Sequence, residues 1–170
     1  QLIAPKWLNI IQQPHIAGAI GSSAFDSEGV ITSERAIIAD GVLNSFILST
    51  YTAHKLGLKT TANAGGIQNL VIDASSDDDF QSMLYKLHTG VLITDLMGQG
   101  IDIVTGNYSR GAAGFWVENG VIKYPIHEFT IAGNLSEMLQ KIVATGADID
   151  TRRKIRCGSL LFESLQLAGN

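Results

Sequence analysis

The chain has 170 residues, 45% hydrophobic and 16% charged, with a formal net charge of −4 at pH 7. That balance excludes a disordered polymer and supplies enough apolar side chains for a sizeable core, with a single domain over residues 1–170 as the expectation. It also argues against direct nucleic-acid binding, which needs lysine and arginine gathered on one face to meet a phosphate backbone.

The only local basic cluster, Arg152, Arg153, Lys154 and Arg156, reads as a solvated turn before a strand. A single cysteine, Cys157, excludes an internal disulfide framework and fits a reducing compartment. No apolar run approaches the roughly 20 residues that cross a bilayer as a helix, and the N-terminus lacks the charged-then-apolar layout of a signal peptide. A cytoplasmic protein with no membrane partner is expected. The start at Gln1, followed almost at once by Trp7–Ile11, implies that the chain continues a larger protein.

In chain order, residues 33–49 hold two β-rich runs joined by Asp40-Gly41, a pair suited to the positive φ values of a tight hairpin turn. Thr50 to Gly57 reads as two helical turns closed by a C-terminal glycine. Residues 67–74 return to strand. Ser76 to His88 opens with Ser-x-x-Asp and carries Phe80, Met83, Leu84 and Leu87 at helical spacing, so an amphipathic helix is expected to stop at Gly90. Asp77, Asp78 and Asp79 fall in its first turn on this reading, where carboxylates complement the helix dipole without any metal.

Strands are expected at residues 91–97 and 101–108. A second long hairpin spans 114–131 and turns at Asn119-Gly120. Asn134 is placed as the cap of a second amphipathic helix, Leu135 to Thr145, whose apolar face is Leu135, Met138, Leu139, Ile142 and Val143. The tail, 159–168, alternates as a strand. Hairpins dominate over crossovers, so the expected class is α+β: β-rich, with largely antiparallel hairpin and meander sheets and two amphipathic helices.

No catalytic or metal-binding set is complete. His127-Glu128 begins like a zincin motif, but Ile131 and Ala132 stand where the second histidine would close it, and a strand sends neighbouring side chains to opposite faces. His15, His54 and His88 are isolated in sequence. Cys157 has no histidine or carboxylate companions at ligand spacing and reads as a small buried thiol; a hydrolase using it with a histidine lacks any local signature. Glycines 98, 100, 106, 111 and 114 surround Ser109-Arg110 without either phosphate-loop spacing. Glycines in strands permit bends or close backbone approach, so Ser109, Arg110 and Gly111 are the candidate substrate contacts, with an extended peptide lying beside a sheet edge and Arg110 taking a peptide carboxylate in bidentate fashion. A structural Arg110 bonded to loop carbonyls is the equal alternative. Asn63, Gly65 and Gly66 form a similar permissive loop, with a plain turn as the simpler reading.

Several motifs occur together in one order: FDSEGV, TYTAHKLGLKTT and NAGG, then MGQG, TGNYSRGAAGFWVENG, YPIHEFTIAGNL and IRCGSLLF. Together they cover nearly the whole chain, and they resemble the C-terminal part of the PmbA family, also called TldE, the metal-free relative of the peptidase TldD. The resemblance implies the non-catalytic subunit of a cytosolic proteolytic complex, which shapes the chamber and binds unfolded peptide by strand addition. It implies no cofactor in this chain and zinc in a TldD-like partner. Cys157 falls where the TldD side looks to supply a zinc ligand, while the family's His-Glu-x-x-x-His helix would lie upstream of Gln1. The alternative is a regulatory module of the DNA gyrase modulator type, acting through protein contacts without proteolysis.

Overall fold

The structure is a computed structural model describing residues 1–169. In chain order its elements are β1 (Ile10–Gln12), β2 (Arg35–Ala39), β3 (Val42–Leu43), α1 (Thr50–Lys55), β4 (Leu70–Ile72), α2 (Phe80–Leu87), β5 (Gly90–Met97), β6 (Asn107–Glu118), β7 (Val121–Asn134), α3 (Leu135–Gln140), β8 (Ile142–Thr145), β9 (Ile155–Arg156), β10 (Leu160–Phe162) and β11 (Gln166–Ala168). They fall into two units, the first built from 1–75 and 148–158, the second from 76–147 and the residues from 159 onward. The class is the expected β-rich α+β, and every strand pair but one is antiparallel.

The first unit carries a five-stranded sheet in the order β3-β2-β1-β4-β9, with β9 parallel to β4. Its hairpin turns where expected: Asp40 and Gly41 take φ of 51° and 72°, the left-handed pair that matches strand twist. The second strand of that hairpin is shorter than expected. It ends at Leu43, because Asn44 and Ser45 both donate back to the Ile37 carbonyl. Ser49 then caps α1 through a reciprocal bond pair with Thr52, and Gly57 at φ 66° leaves the helix as a C-terminal glycine does.

Beside the apolar residues Leu8, Ile38, Leu48 and Ala53, this unit buries a polar group: Gln12, Asp26, Thr61, Asn63, Gln68 and Asn69. Buried polar groups persist only when bonded, and Asn63 is the hub here. Its Nδ2 donates to Gln12 Oε1 at 2.7 Å and to the Gly66 carbonyl at 3.2 Å, and its Oδ1 accepts from Thr61 Oγ1 at 2.8 Å. The permissive loop of the sequence is therefore a turn pinned from inside.

In the second unit, β5, β6 and β7 form an antiparallel meander with β11 outside β7, while β8 pairs β10 apart from it. Asn119 and Gly120 turn the long hairpin at φ 51° and 73°. Ala112, Phe129 and Ile131 make the buried centre of one sheet face, with Val91, Ile93 and Ile126 packed against them. Two irregularities break the β6–β7 register, between Ala112 and Gly114 and between Trp116 and Val117. At the first, Ala113 faces the exposed pair His127 and Glu128, and Glu128 bends through φ 57°. Pro125 stands beyond the span of β11, where β7 has a neighbour on one side only.

Three expectations are corrected in this unit. Residues 101–106 form a turn, because Asp102 accepts from the backbone N–H of Val104 and Thr105 through one carboxylate oxygen. The helix from Leu135 stops at Gln140, and Ile142–Thr145 becomes β8 because its β-branched residues pair with Leu160–Phe162. The N-cap of α2 is Asp79, whose carboxylate accepts from Ser82 N–H at 2.8 Å. Asp77 and Asp78 precede the helix, and Asp78 pairs with Lys86.

Candidate functional site

Ser109, Arg110 and Gly111 lie within β6, so the segment is a strand and not the loop expected from its glycines. Cross-strand pairing has overridden weak local propensity: Ser109 faces Ala132, Arg110 faces Ile131, and Gly111 faces both Thr130 and Met97. On its other side Ser109 N–H donates to the Gly100 carbonyl at 2.7 Å. Both edges of this stretch are taken, so backbone pairing with an added peptide belongs to an outer strand of the sheet. The pleat also separates the three side chains. Ser109 and Gly111 share the open face, whereas Arg110 shares the face of buried Ala112 and donates Nη2 to the Leu96 carbonyl at 3.0 Å. Its Nε is buried without a partner among the described residues.

A cavity of about 400 Å³ lies at the Asn107 end of the sheet, the lower part of the size range of small-ligand sites; Ser109, Arg110 and Gly111 do not line it. Three separate segments build it: Asn107 and Tyr108 from β6, Glu137, Met138 and Lys141 from α3 and its C-terminal cap, and Gln166 from β11. Ala132, the cross-strand partner of Ser109, lies in the same wall. Asn134 fixes the corner, its Oδ1 accepting from Ser136 N–H at 3.1 Å while its Nδ2 donates to the Thr105 carbonyl at 2.9 Å.

The resemblance places the metal in a partner, and the donor chemistry of the described residues can be set against what zinc needs. Zinc requires convergent thiolate, imidazole or carboxylate groups at about 2.0 to 2.3 Å. No group of three such side chains gathers among the described residues, and His15, His54, His88 and His127 are all exposed. The Cys157 thiol donates to the Gly158 carbonyl at 3.1 Å. Burial, aided by the Asp148 carboxylate, pushes it up to about 11, which favours the protonated form over the thiolate a metal takes. The basic turn is solvated, with Arg152 held on Asp150 at 2.8 Å and both Arg152 and Arg153 largely exposed.

Over residues 1–169 the chain matches the family model described as the PmbA/TldA metallopeptidase C-terminal domain. It is 53% identical over 167 residues to the metalloprotease PmbA of Escherichia coli O157:H7, covering 98% of this chain and 37% of that protein. The chain belongs to the PmbA/TldE family. A PmbA homolog from Haemophilus influenzae is 44% identical over 168 residues, with 99% of this chain and 37% of that protein covered. Among solved structures, a candidate modulator of DNA gyrase from Bacteroides thetaiotaomicron superposes with a TM-score of 0.92 at 34% identity, covering 100% of this chain and 38% of that one. TldE from Thermococcus kodakarensis shares the fold, with a TM-score of 0.83 at 23% identity over 99% of this chain and 41% of that one. This PmbA-family domain thus spans little more than a third of the curated relatives it matches. The cavity was not legible in its sequence, since its walls come from stretches that carry no common spacing.

Proposed function

We propose that this domain belongs to a PmbA/TldE-like subunit of a TldD/TldE-type metalloprotease complex, which degrades unfolded peptides and processes peptide precursors in the cytoplasm. The observation that carries the reading is the family match across residues 1–169. The domain shapes the chamber and binds substrate, and a TldD-like partner carries the zinc. Support for the substrate role comes from the meander, whose outer strands leave backbone groups open to an extended peptide. Ser109 and Gly111 present a floor of small residues beside it, and Arg110 braces that floor from the opposite face through Leu96.

No helix among the described residues is long and apolar enough to cross a membrane. The test is digestion of an unfolded peptide by the full-length protein, alone and with a TldD-like partner. Turnover that requires both chains supports the proposal, and its absence with a zinc-loaded partner refutes it. Arg110→Ala discriminates further: turnover lost beyond the loss of folded protein assigns Arg110 to the substrate path, whereas a proportional loss makes it a brace. A second reading, a protein-binding regulator without proteolysis, is favoured by the solved relative described as a modulator of DNA gyrase; it predicts partner binding with no turnover.

A further inference from the structure

The cavity at the Asn107 end of the meander has a chemistry that the family match does not assign. Lys141 N–H donates to the Glu137 carbonyl at 3.0 Å, so the two residues stand one helical turn apart, with Cβ atoms about 5 to 6 Å from each other. Among the described residues neither side chain enters an ion pair, although both line the same cavity. A carboxylate and an ammonium thus line one concave space from neighbouring helix positions, each free to take a charge from outside. Tyr108 and Met138 add apolar surface, and Asn107 and Gln166 add amide groups at the rim.

We propose that this cavity binds a short peptide with both termini free, two or three residues long. Lys141 takes the terminal carboxylate, Glu137 takes the terminal ammonium, and Met138 and Tyr108 cover the intervening side chains. The spacing selects the ligand. An extended dipeptide spans at most about 7 Å, close to the Cβ spacing of positions one helical turn apart, whereas the charges of a single amino acid sit on one carbon and those of a long peptide lie far apart. The volume agrees, since about 400 Å³ is room enough for two or three residues. Such peptides are what exhaustive digestion releases, so the ligand class rests on the peptidase reading above; the binding itself does not.

The test uses the full-length protein and L-alanyl-L-leucine, followed by titration calorimetry and by ¹³C-methyl NMR of methionine. Binding is expected in the micromolar to millimolar range, with the Met138 methyl shifted and those of Met83 and Met97 unmoved. The N-acetylated, C-amidated peptide should bind at least about tenfold more weakly, the worth of one charge-assisted hydrogen bond. Lys141→Met and Glu137→Gln should each reproduce that loss on the free dipeptide with unchanged melting. Equal binding of the capped peptide, no saturation at millimolar dipeptide, or a shift confined to the other methionines would overturn the site. The methyl readout needs no variant, so a misfolded substitution leaves the test intact. Turnover by the reconstituted complex is scored separately: turnover without dipeptide binding sinks this inference alone, and dipeptide binding without turnover sinks the proteolytic reading alone.

Discussion

Replacing Gly120 by alanine isolates what its turn requires. Gly120 sits at φ 73°, where a residue with a Cβ loses roughly 1 kcal/mol or more to backbone strain. A Cβ there would also lie 2.4 Å from Tyr85 Cδ1 and 3.0 Å from Tyr85 Cα. Tyr85 is 61% exposed and its ring can swing away, but the Cα belongs to α2, so the turn and helix must part and strain the bond from Gly120 N–H to the His88 carbonyl, now 2.8 Å. Overpacking of this kind costs about 1 to 3 kcal/mol, giving a total of about 2 to 4 kcal/mol. For a chain of this size that lowers the melting midpoint by about 4 to 16 °C. Gly57→Ala is the control, because Gly57 has φ 66° and open space where its Cβ would go; it should cost only the strain. Calorimetric melts of both variants decide the matter. Equal losses would refute the contact with α2 and leave the turn merely adjacent to it.

Asn63→Ala should destabilise the first unit by about 1 to 3 kcal/mol, since it removes buried bonds to Gln12 Oε1 and Thr61 Oγ1, which keep only the Gln68 N–H at 3.4 Å and the Leu48 backbone as partners; urea unfolding with an unchanged m-value would show it. The Arg152 guanidinium and backbone N–H hold the Asp150 carboxyl down to about 2, so it favours the folded state above pH 3.8 and loses that preference as pH falls from 3.8 toward 2. Carboxyl ¹³C titration should find that low midpoint and see it rise toward 3.8 in Arg152→Ala. Cys157, raised to about 11 by burial, should resist iodoacetamide at pH 8 in the folded chain relative to the urea-unfolded chain. Cys157→Ser should leave turnover by the reconstituted complex within a few fold, and a loss on the scale of a removed metal ligand would show a chemical role for the thiol.

Both hairpin turns were legible because Asp-Gly and Asn-Gly encode a conformation within two residues, α1 because helix-tolerant residues run into a terminal glycine, and α2 because its apolar spacing acts within two turns, although its cap is Asp79 where Ser76 was expected. The segment 135–145 misled for a physical reason. Its apolar residues satisfy helical spacing throughout, and what ends the helix is a partner strand, Leu160–Phe162, that no local pattern announces. Ser109–Gly111 misled in the same way, since glycine-rich sequence signals a bend unless neighbours on both sides hold it straight. The buried bonds of Asn63 and the meeting of Glu137, Lys141 and Gln166 around one cavity depend on contacts far apart in sequence. Only the chain's family resemblance, carried by whole motifs, reached past that limit.

The interleaving of the two units bears on the order in which a ribosome can complete them. β4 remains an open edge until Ile155 and Arg156 arrive to pair with it, and β8 lacks its partner strand until Leu160–Phe162 follows. A nascent chain stopped at residue 147 would therefore hold two unfinished sheets at once. At about 5 to 20 residues per second the interval during translation is brief, yet it falls when unpaired strand edges are most able to join a neighbouring chain. A premature stop late in this domain is thus expected to yield aggregate in place of a shortened working fragment.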